Sequence, residues 1–471
     1  MKGNVQMKEQ SKTQQAQKGK VSRREFLSST AATAAAFMIV PRNVLGGPGY
    51  VPPSDKLNIG CVGVGGKGRS DIESVSSENV IALCDVDDTM MAKFKKHAKE
   101  EDKSELITLF EKANKYRDFR VMLEKEKSID AITISTPDHT HAVVAMMAMK
   151  MGKHVFCQKP LTHTVYEARM LAKTAKEMNV TTQMGNQGHA SEVARLINTW
   201  IWDGAVGDVR EVHCWTNRPV WPQGIDAPKE IPSVPPTLDW DLWLGPAPWR
   251  PYHPAYAPFA WRGWKDFGTG AVGDMGAHIM DHPYWALKLK YPETIQASST
   301  ELNDDSYPIA STVHFTFPAR GKMPPVKMTW YDGGLTPPRP EVLEQGRRMG
   351  DGGGGILFIG DKGTLMCSTY GKNPRLIPES KMKEYKRPEM TIPLSPGIHE
   401  EWIEACKAGK KSTTDFSYAG PLTETMLLGG VATMMQDKNT ILEFDAEKME
   451  ITNLPEANDL LHMEYRKGWT L

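Results

Sequence analysis

The chain has almost no charge imbalance, with 57 Lys and Arg against 57 Asp and Glu in 471 residues. That balance, with no basic stripe, gives no support for a nucleic-acid surface. Cysteine is sparse: Cys61, Cys84, Cys157, Cys214, Cys367 and Cys406 are widely spaced, with no CxxC pair. They read as buried free thiols, and nothing resembles a structural zinc site, so no metal is expected. Long apolar runs are also missing. The longest mildly apolar stretch, Ser28 to Val40, is too short to span a bilayer as an ordinary helix. No repeat of solenoid length occurs. What remains is a neutral chain long enough for two or three domains with ample core.

Residues 1 to about 20 are polar and rich in Lys and Gln, a composition that predicts disorder. Ser22-Arg23-Arg24-Glu25-Phe26-Leu27 then precedes the Ala-rich run Ser28 to Val40. A basic stretch before a short apolar core is the pattern of an export signal, and the adjacent arginines resemble the twin-arginine type. The expected location is therefore outside the cytoplasm: periplasmic, or held at the membrane by an uncleaved signal. Pro41 to Pro53 reads as a linker. Residues 1–53 thus form the signal and linker, and no span beyond the signal segment is expected.

The stretch Lys56 to Asp85 organises the rest of the chain. An apolar run, Leu57 to Val64, reads as a buried parallel strand and runs into Gly63-x-Gly65-Gly66-x-Gly68-Arg69. Helix-compatible residues come next, and a second apolar run, Val80 to Cys84, ends in Asp85. This order is expected of a dinucleotide-binding unit. Gly63 permits a tight turn, Gly65 lets a pyrophosphate approach, and Gly68 lets the helix pack close to the strand. The helix N-terminus offers free N–H groups to phosphate. Asp85 at the second strand tip can accept from both adenosine ribose hydroxyls and would repel a 2′-phosphate, which favours NAD over NADP.

Strand and helix patterns alternate to about residue 183, which implies a parallel sheet covered on both faces. Ligands in such sheets bind at strand carboxyl ends. Asp85, the turn Thr136-Pro137-Asp138-His139-Thr140-His141 and the turn Gln158-Lys159-Pro160 all fall there. The second half has another texture. Strands of a mixed, largely antiparallel sheet are expected near 209–216, 294–301, 310–317, 326–331, 357–360 and 364–368. Residues 218–265 form an insertion holding six of the thirteen Trp. Gly273-Asp274-x-x-x-His278 places two polar side chains four apart, on one helix face.

The glycine turn, Thr136-Pro137-x-His139-x-His141, Lys159-Pro160 and Gly273-Asp274-x-x-x-His278 together resemble the Gfo/Idh/MocA oxidoreductases over roughly residues 57 to 440. The resemblance implies a Rossmann domain at 54–184 and an open-faced α/β domain at 185–440, with a tail at 441–471. It implies NAD in the cleft between the domains, a Trp261-Arg262 pair before the Asp-x-x-x-His helix, and a homodimer or homotetramer. The family's usual Glu-Lys-Pro is here Gln158-Lys159-Pro160.

The reaction implied is hydride transfer between a secondary carbinol of a sugar or glycoside and nicotinamide. His278 is the expected base, because imidazole titrates near neutral pH. Lys159 would hold the carbinol oxygen, and Asp274 would orient the substrate. Cofactor contacts are expected from Gly63, Gly65, Gly66, Gly68, Arg69, Asp85, Thr136, Pro137, His139, His141, Gln158, Lys159, Gln187, Trp261 and Arg262. Asn186, His189 and His282 are expected near the substrate. Aromatic faces of Trp221, Trp240, Trp243, Trp261 and Trp264 could cover sugar C–H faces. Export favours a glycoside substrate and a cofactor loaded before export and held tightly. Two other readings stand beside this one: a glycosidase that uses NAD transiently, and a sugar-binding protein without turnover.

Overall fold

A computed structural model describes residues 55–471; the arginine pair, the Ala-rich run and the linker lie outside the described residues. Six parallel strands make the first sheet: β1 (Asn58–Val62), β2 (Asn79–Cys84), β3 (Asn114–Tyr116), β4 (Ala131–Ile134), β5 (His154–Cys157) and β6 (Thr182–Met184). Their order is β3-β2-β1-β4-β5-β6, the doubly wound order whose switch point lies between β1 and β4. These strands are largely apolar because helices cover both faces.

The second sheet holds β7 (Val209–Thr216), β8 (Thr294–Ser299), β9 (Ser311–Phe317), β10 (Val326–Tyr331), β11 (Gly354–Gly360), β12 (Thr364–Ser368), β13 (Arg375–Ile377), β14 (Leu442–Asp445) and β15 (Glu450–Ile451). Its order is β13-β12-β11-β7-β10-β9-β8-β14-β15. Every pairing is antiparallel except β7 with β10. Gly360 to Gly363 closes the β11–β12 hairpin, with the Gly360 N–H donating to the Gly363 carbonyl at 2.9 Å. The helix Phe416–Met434 lies against both the nucleotide-domain helix Val165–Met178 and the helix Gly270–Ile279. It therefore cements the two halves into one apolar core.

The domain boundaries are less simple than a cut near residue 185. The helix Ile398–Ala408 returns to the first sheet, where Trp402 is fully buried 5.6 Å from the Phe156 ring. Thr414 then pairs with Met184 beyond β6, its carbonyl accepting from the Met184 N–H at 3.0 Å. The region after residue 440 is not a loose tail, since β14 and β15 extend the second sheet. Asp274 and His278 lie on the helix Gly270–Ile279, and a second helix, Asp281–Ala286, follows it. No helix among the described residues is long and apolar enough to cross a membrane.

Candidate active site

The glycine turn is shaped by close approach. Gly63 has φ +86°, and a Cβ on Gly68 would sit 2.0 Å from the Gly63 carbonyl oxygen. The helix therefore starts at Lys67, directly after the turn, and packs on β1 as the spacing predicts. The turn opens onto a cleft of about 500 Å³, lined by Gly63, Gly65, Gly66, Asp85, Thr136, Pro137, Gln158, Lys159, Trp261, Arg262 and Asp274. Four strand-end loops of the first sheet and two segments of the second domain thus share one cavity. Arg69 does not line it and is exposed.

Asp85 closes β2 and bends back on the turn. Its Oδ2 accepts from the Val64 N–H at 2.8 Å and its Oδ1 from the Asp87 N–H at 3.0 Å. Burial pushes this carboxyl up to about 6, against those backbone bonds. No arginine comes after it; Asp87 and Asp88 do. Wild-type protein is expected to bind NAD at least tenfold more tightly than NADP, and Asp85→Ala to erase most of that ratio. Comparable affinities for the two cofactors in wild type, measured by titration, would remove this role.

Gln158 accounts for the departure from Glu-Lys-Pro. Its Nε2 donates to Asp71 Oδ2 at 2.8 Å, and Asp71 is fully buried. Ser135 Oγ donates to the same oxygen at 2.7 Å. The other oxygen is 2.5 Å from Lys67 Nζ and 2.9 Å from His399 Nε2. Burial would raise the Asp71 carboxyl, but the His399 hydrogen bond and the Lys67 charge hold it below the usual range. A glutamate at 158 would set two carboxylates face to face. The carboxylate is on the nucleotide helix here, and the amide is on the lysine turn.

Lys159 and Asp274 form the junction between the domains. Lys159 Nζ donates to Asp274 Oδ1 at 2.7 Å and to the Asp274 carbonyl at 3.0 Å. Arg262 Nε lies 3.4 Å from the same Oδ1, with its guanidinium 4.2 Å over the Trp261 ring. Burial pushes Asp274 up, but the Lys159 and Arg262 charges outweigh it and keep it ionised. His278 lies one turn on, buried, with the Tyr370 ring edge-on at 4.9 Å and no hydrogen-bond partner for Nδ1 among the described residues. Burial first, then the Lys159 charge, pushes His278 down to about 3. The expectation that it titrates near neutrality is thereby corrected: burial and the Lys159 charge both favour the neutral imidazole.

A second carboxyl of the cleft is pushed up toward neutrality, and the spacing hides it. Asp138, the unassigned position within Thr136–His141, lines the cleft and accepts from Thr269 Oγ1 at 2.9 Å. Burial pushes it up to about 7, although Lys159 and Arg262 pull the other way. A buried carboxyl of this kind stabilises the fold while protonated, and that contribution is lost as pH rises through about 7. Asp138→Asn should therefore melt higher than wild type at pH ~8 and no higher at pH ~4, the difference reaching on the order of 4 kcal/mol. Parallel melting curves across that range would contradict the assignment.

His139 and His141 are turned away from the cleft. His139 Nε2 lies 2.9 Å from the Trp243 carbonyl and Nδ1 3.2 Å from that of Phe267. His141 bridges the Pro160 and Thr136 carbonyls, both at 2.9 Å. Burial pushes them down to about 3 and about 4. These rings pin the Thr136–His141 turn to the lysine turn and to the insertion, so their expected cofactor contact gives way to a structural one. His189 is likewise withdrawn: its Nδ1 lies 3.0 Å from Asp281 Oδ2, and its ring stacks on Trp285 at 4.0 Å.

Several other buried polar side chains lack partners. Both amide atoms of Gln183 and Asn186 and Nε2 of Gln187 are buried and unbonded among the described residues, and the His282 ring is buried beside the Tyr370 backbone. A Cβ on Gly371 would come within 2.7 Å of the His282 ring, so Tyr370 and Gly371 press on His278 and His282 together. Tyr370 itself has φ +60°, a strained conformation for a bulky residue.

The insertion tryptophans answer differently from expectation. Trp264 is fully buried and donates to the Ala255 carbonyl at 2.9 Å; Trp221 donates to Gln223 Oε1 at 2.8 Å. Trp240 and Trp243 stack at 4.7 Å in the insertion's own core. Trp221, Trp240 and Trp264 do not line the cleft, while Trp243 and Trp261 do. Trp240, Trp243, Trp261 and Trp264 pack with Leu244, Tyr256 and Phe267 in one apolar cluster, so most of their surface is used inside the insertion.

These residues fit a dinucleotide: a glycine turn with no room for a Cβ at Gly63 or Gly68, a strand-end carboxylate, and a cleft that also takes in Lys159 and Asp274. No group of three or more His, Cys, Asp or Glu among the described residues could hold a metal. Residues 57–186 match the oxidoreductase family's NAD-binding Rossmann fold, and residues 208–320 its C-terminal alpha/beta domain. Levoglucosan dehydrogenase of Pseudarthrobacter phenanthrenivorans is 25% identical over 169 residues, 36% of this chain and 35% of that protein. A glycosyl hydrolase family 109 protein of Shewanella putrefaciens is 25% identical over 207 residues, 40% of this chain and 44% of that protein. The chain thus matches less than half the length of these curated relatives. Among solved structures, the WlbA dehydrogenase of Bordetella pertussis, in complex with NADH and UDP-GlcNAcA, superposes with TM-score 0.55 at 16% identity, over 83% of this chain and 99% of that one. Levoglucosan dehydrogenase with NADH does so with TM-score 0.53 at 15% identity, over 82% and 98%. These structures share the fold, and the two family matches together cover more than half of the sequence: the chain belongs to the Gfo/Idh/MocA oxidoreductase family.

Proposed function

We propose that the protein is an exported, NAD-dependent oxidoreductase acting on a secondary carbinol of a sugar or glycoside. The observation that carries this reading is the Lys159–Asp274 pair, 2.7 Å apart where the nucleotide cleft meets the second domain. NAD in that cleft supplies the hydride acceptor. Lys159 Nζ, fixed by the two Asp274 oxygens, presents a cation to the carbinol oxygen and stabilises the oxyanion as it develops. His278, neutral and with Nδ1 unbonded, accepts the carbinol proton. Its low basicity is set by burial and by the Lys159 charge; a developing alkoxide beside Lys159 offsets that charge and restores the ring's affinity for a proton. Asp138 adjusts the net charge of the site as it ionises near neutral pH.

The substrate is uncharged and hydroxyl-rich. The unpartnered Gln187 amide nitrogen and the His282 imidazole suit hydroxyl groups, and the cations Lys159 and Arg262 are already paired with Asp274. The carbon 3 hydroxyl of a glycoside is our choice of oxidation site, on family analogy. The twin-arginine pattern supports export with NAD already bound, and assembly as a homodimer or homotetramer is inferred by the same analogy. The match to a glycosyl hydrolase family 109 protein supports a second reading, in which oxidation, elimination, hydration and reduction cleave a glycoside with no net change in NAD. Screening purified protein against glycosides and free sugars separates them. Stoichiometric NADH with a ketone product supports the dehydrogenase. Free sugar without NADH supports the glycosidase. No turnover of any glycoside or sugar would refute both.

A further inference from the structure

The dinucleotide cleft is walled in part by two segments that a dinucleotide-binding unit does not require. Leu242, Tyr252 and Phe259 of the insertion line it, and so does Trp469 from the end of the chain. Nothing in the sequence ties residue 469 to the glycine turn. The tail is nonetheless anchored at defined points. Arg466 Nη1 pairs with Asp241 Oδ1 at 2.6 Å, and its Nε donates to the Gly245 carbonyl at 3.0 Å, both on the insertion. Tyr465 Oη donates to Glu167 Oε1 at 2.5 Å on the nucleotide domain. Trp469 then turns back on Arg466, its backbone N–H donating to the Arg466 carbonyl at 3.0 Å. The indole is half-buried, with the Arg120 guanidinium 4.4 Å over its ring and Phe119 at 6.1 Å.

We propose that the insertion helix Trp240–Leu244 and residues 465–471 form a clamp on the bound dinucleotide. Trp469 is a cofactor-binding residue of this clamp, and Arg466 is the pin that holds it shut. The clamp rests on the reading that the cleft holds NAD. An indole at the cleft wall adds flat apolar surface against a ligand that is itself flat and partly apolar. The pin is made of a few polar contacts at the rim, where Asp241 is largely exposed. Such a segment opens locally at far less cost than global unfolding, so the tail would lift to let NAD pass and otherwise retain it. An oxidoreductase that must carry its cofactor through many turnovers needs that kind of slow exit.

The test uses full-length protein loaded with NAD, diluted into buffer with an enzyme that consumes free NAD, so that the release rate is read directly. Wild type is compared with Trp469→Ala, Trp469→Phe and Arg466→Ala, with apo melting temperatures as a check on folding. Trp469→Ala and Arg466→Ala should each release NAD about tenfold faster or more, the scale of one lost aromatic–base contact. Trp469→Phe should stay near wild type, because it keeps an aromatic face. Equal release rates in all four proteins would overturn the clamp while leaving the NAD reading intact. Wild-type protein that binds no NAD would overturn both.

Discussion

Lys159→Met should leave NAD bound and lower turnover by about two to four orders of magnitude, the range for removing general acid–base and electrostatic help. Methionine approaches the lysine stem in length, so the cavity is largely conserved. What disappears is the cation that two Asp274 oxygens hold in place at 2.7 and 3.0 Å. The mutation also strips Asp274 of its nearer counter-ion and leaves Arg262 Nε at 3.4 Å as the remaining one. Some stability is lost, since breaking one partner out of a buried pair costs about 3–5 kcal/mol when nothing compensates. Arg262 keeps the loss below that range. The double variant Lys159→Met/Asp274→Asn removes the orphaned charge and should recover the melting temperature while remaining inactive. Near-normal turnover in either variant, with NAD occupancy checked alongside, would remove Lys159 from the mechanism.

Gln158→Glu should be strongly destabilising, and more so as pH rises. The Gln158 amide nitrogen is 2.8 Å from a carboxylate that is fully buried. Two carboxylates at that distance cannot both ionise. The introduced glutamate would have its pKa raised, so its protonated form supports the fold and that support fades as pH climbs. A loss of roughly 2–4 kcal/mol at mildly alkaline pH is expected, shrinking under acid conditions. Adding Asp71→Asn to the same chain restores a donor facing the new carboxylate. That double variant should regain most of the stability and the NAD affinity. Additive losses in the double variant, read by melting and NAD titration, would show that the two side chains are not coupled.

Local signals are the readable ones. The glycine turn, its strand and Asp85 lie close together in the chain, and each constraint acts between near neighbours in sequence. The Lys159 turn and the Asp274–His278 helix are readable as separate clusters, and the family resemblance supplies their juxtaposition. Asp71 is not legible as a hub, because its partners Gln158 and His399 stand 87 and 328 positions away. Asp138 is masked by flanking histidines, a more reactive residue type at neutral pH. Those histidines face backbone carbonyls, to one of which each neutral ring donates its single N–H, and no side-chain pattern announces that. The tryptophan count correctly marks residues 218–265 as unusual. It cannot tell whether the rings face a ligand or one another, since aromatic enrichment is the same in both cases. Trp469 is invisible for the same reason as His399: the contact is made by a returning segment.

The most direct measurement tracks the near-ultraviolet absorbance of protein-bound nicotinamide after a glycoside or sugar is added to NAD-loaded protein. The account predicts that one NADH appears per chain in wild type, with a ketone recovered from the sugar, and that Lys159→Met shows no such change with its NAD still bound. An active sugar that leaves the bound nicotinamide unreduced, or equal reduction in wild type and Lys159→Met, would contradict it.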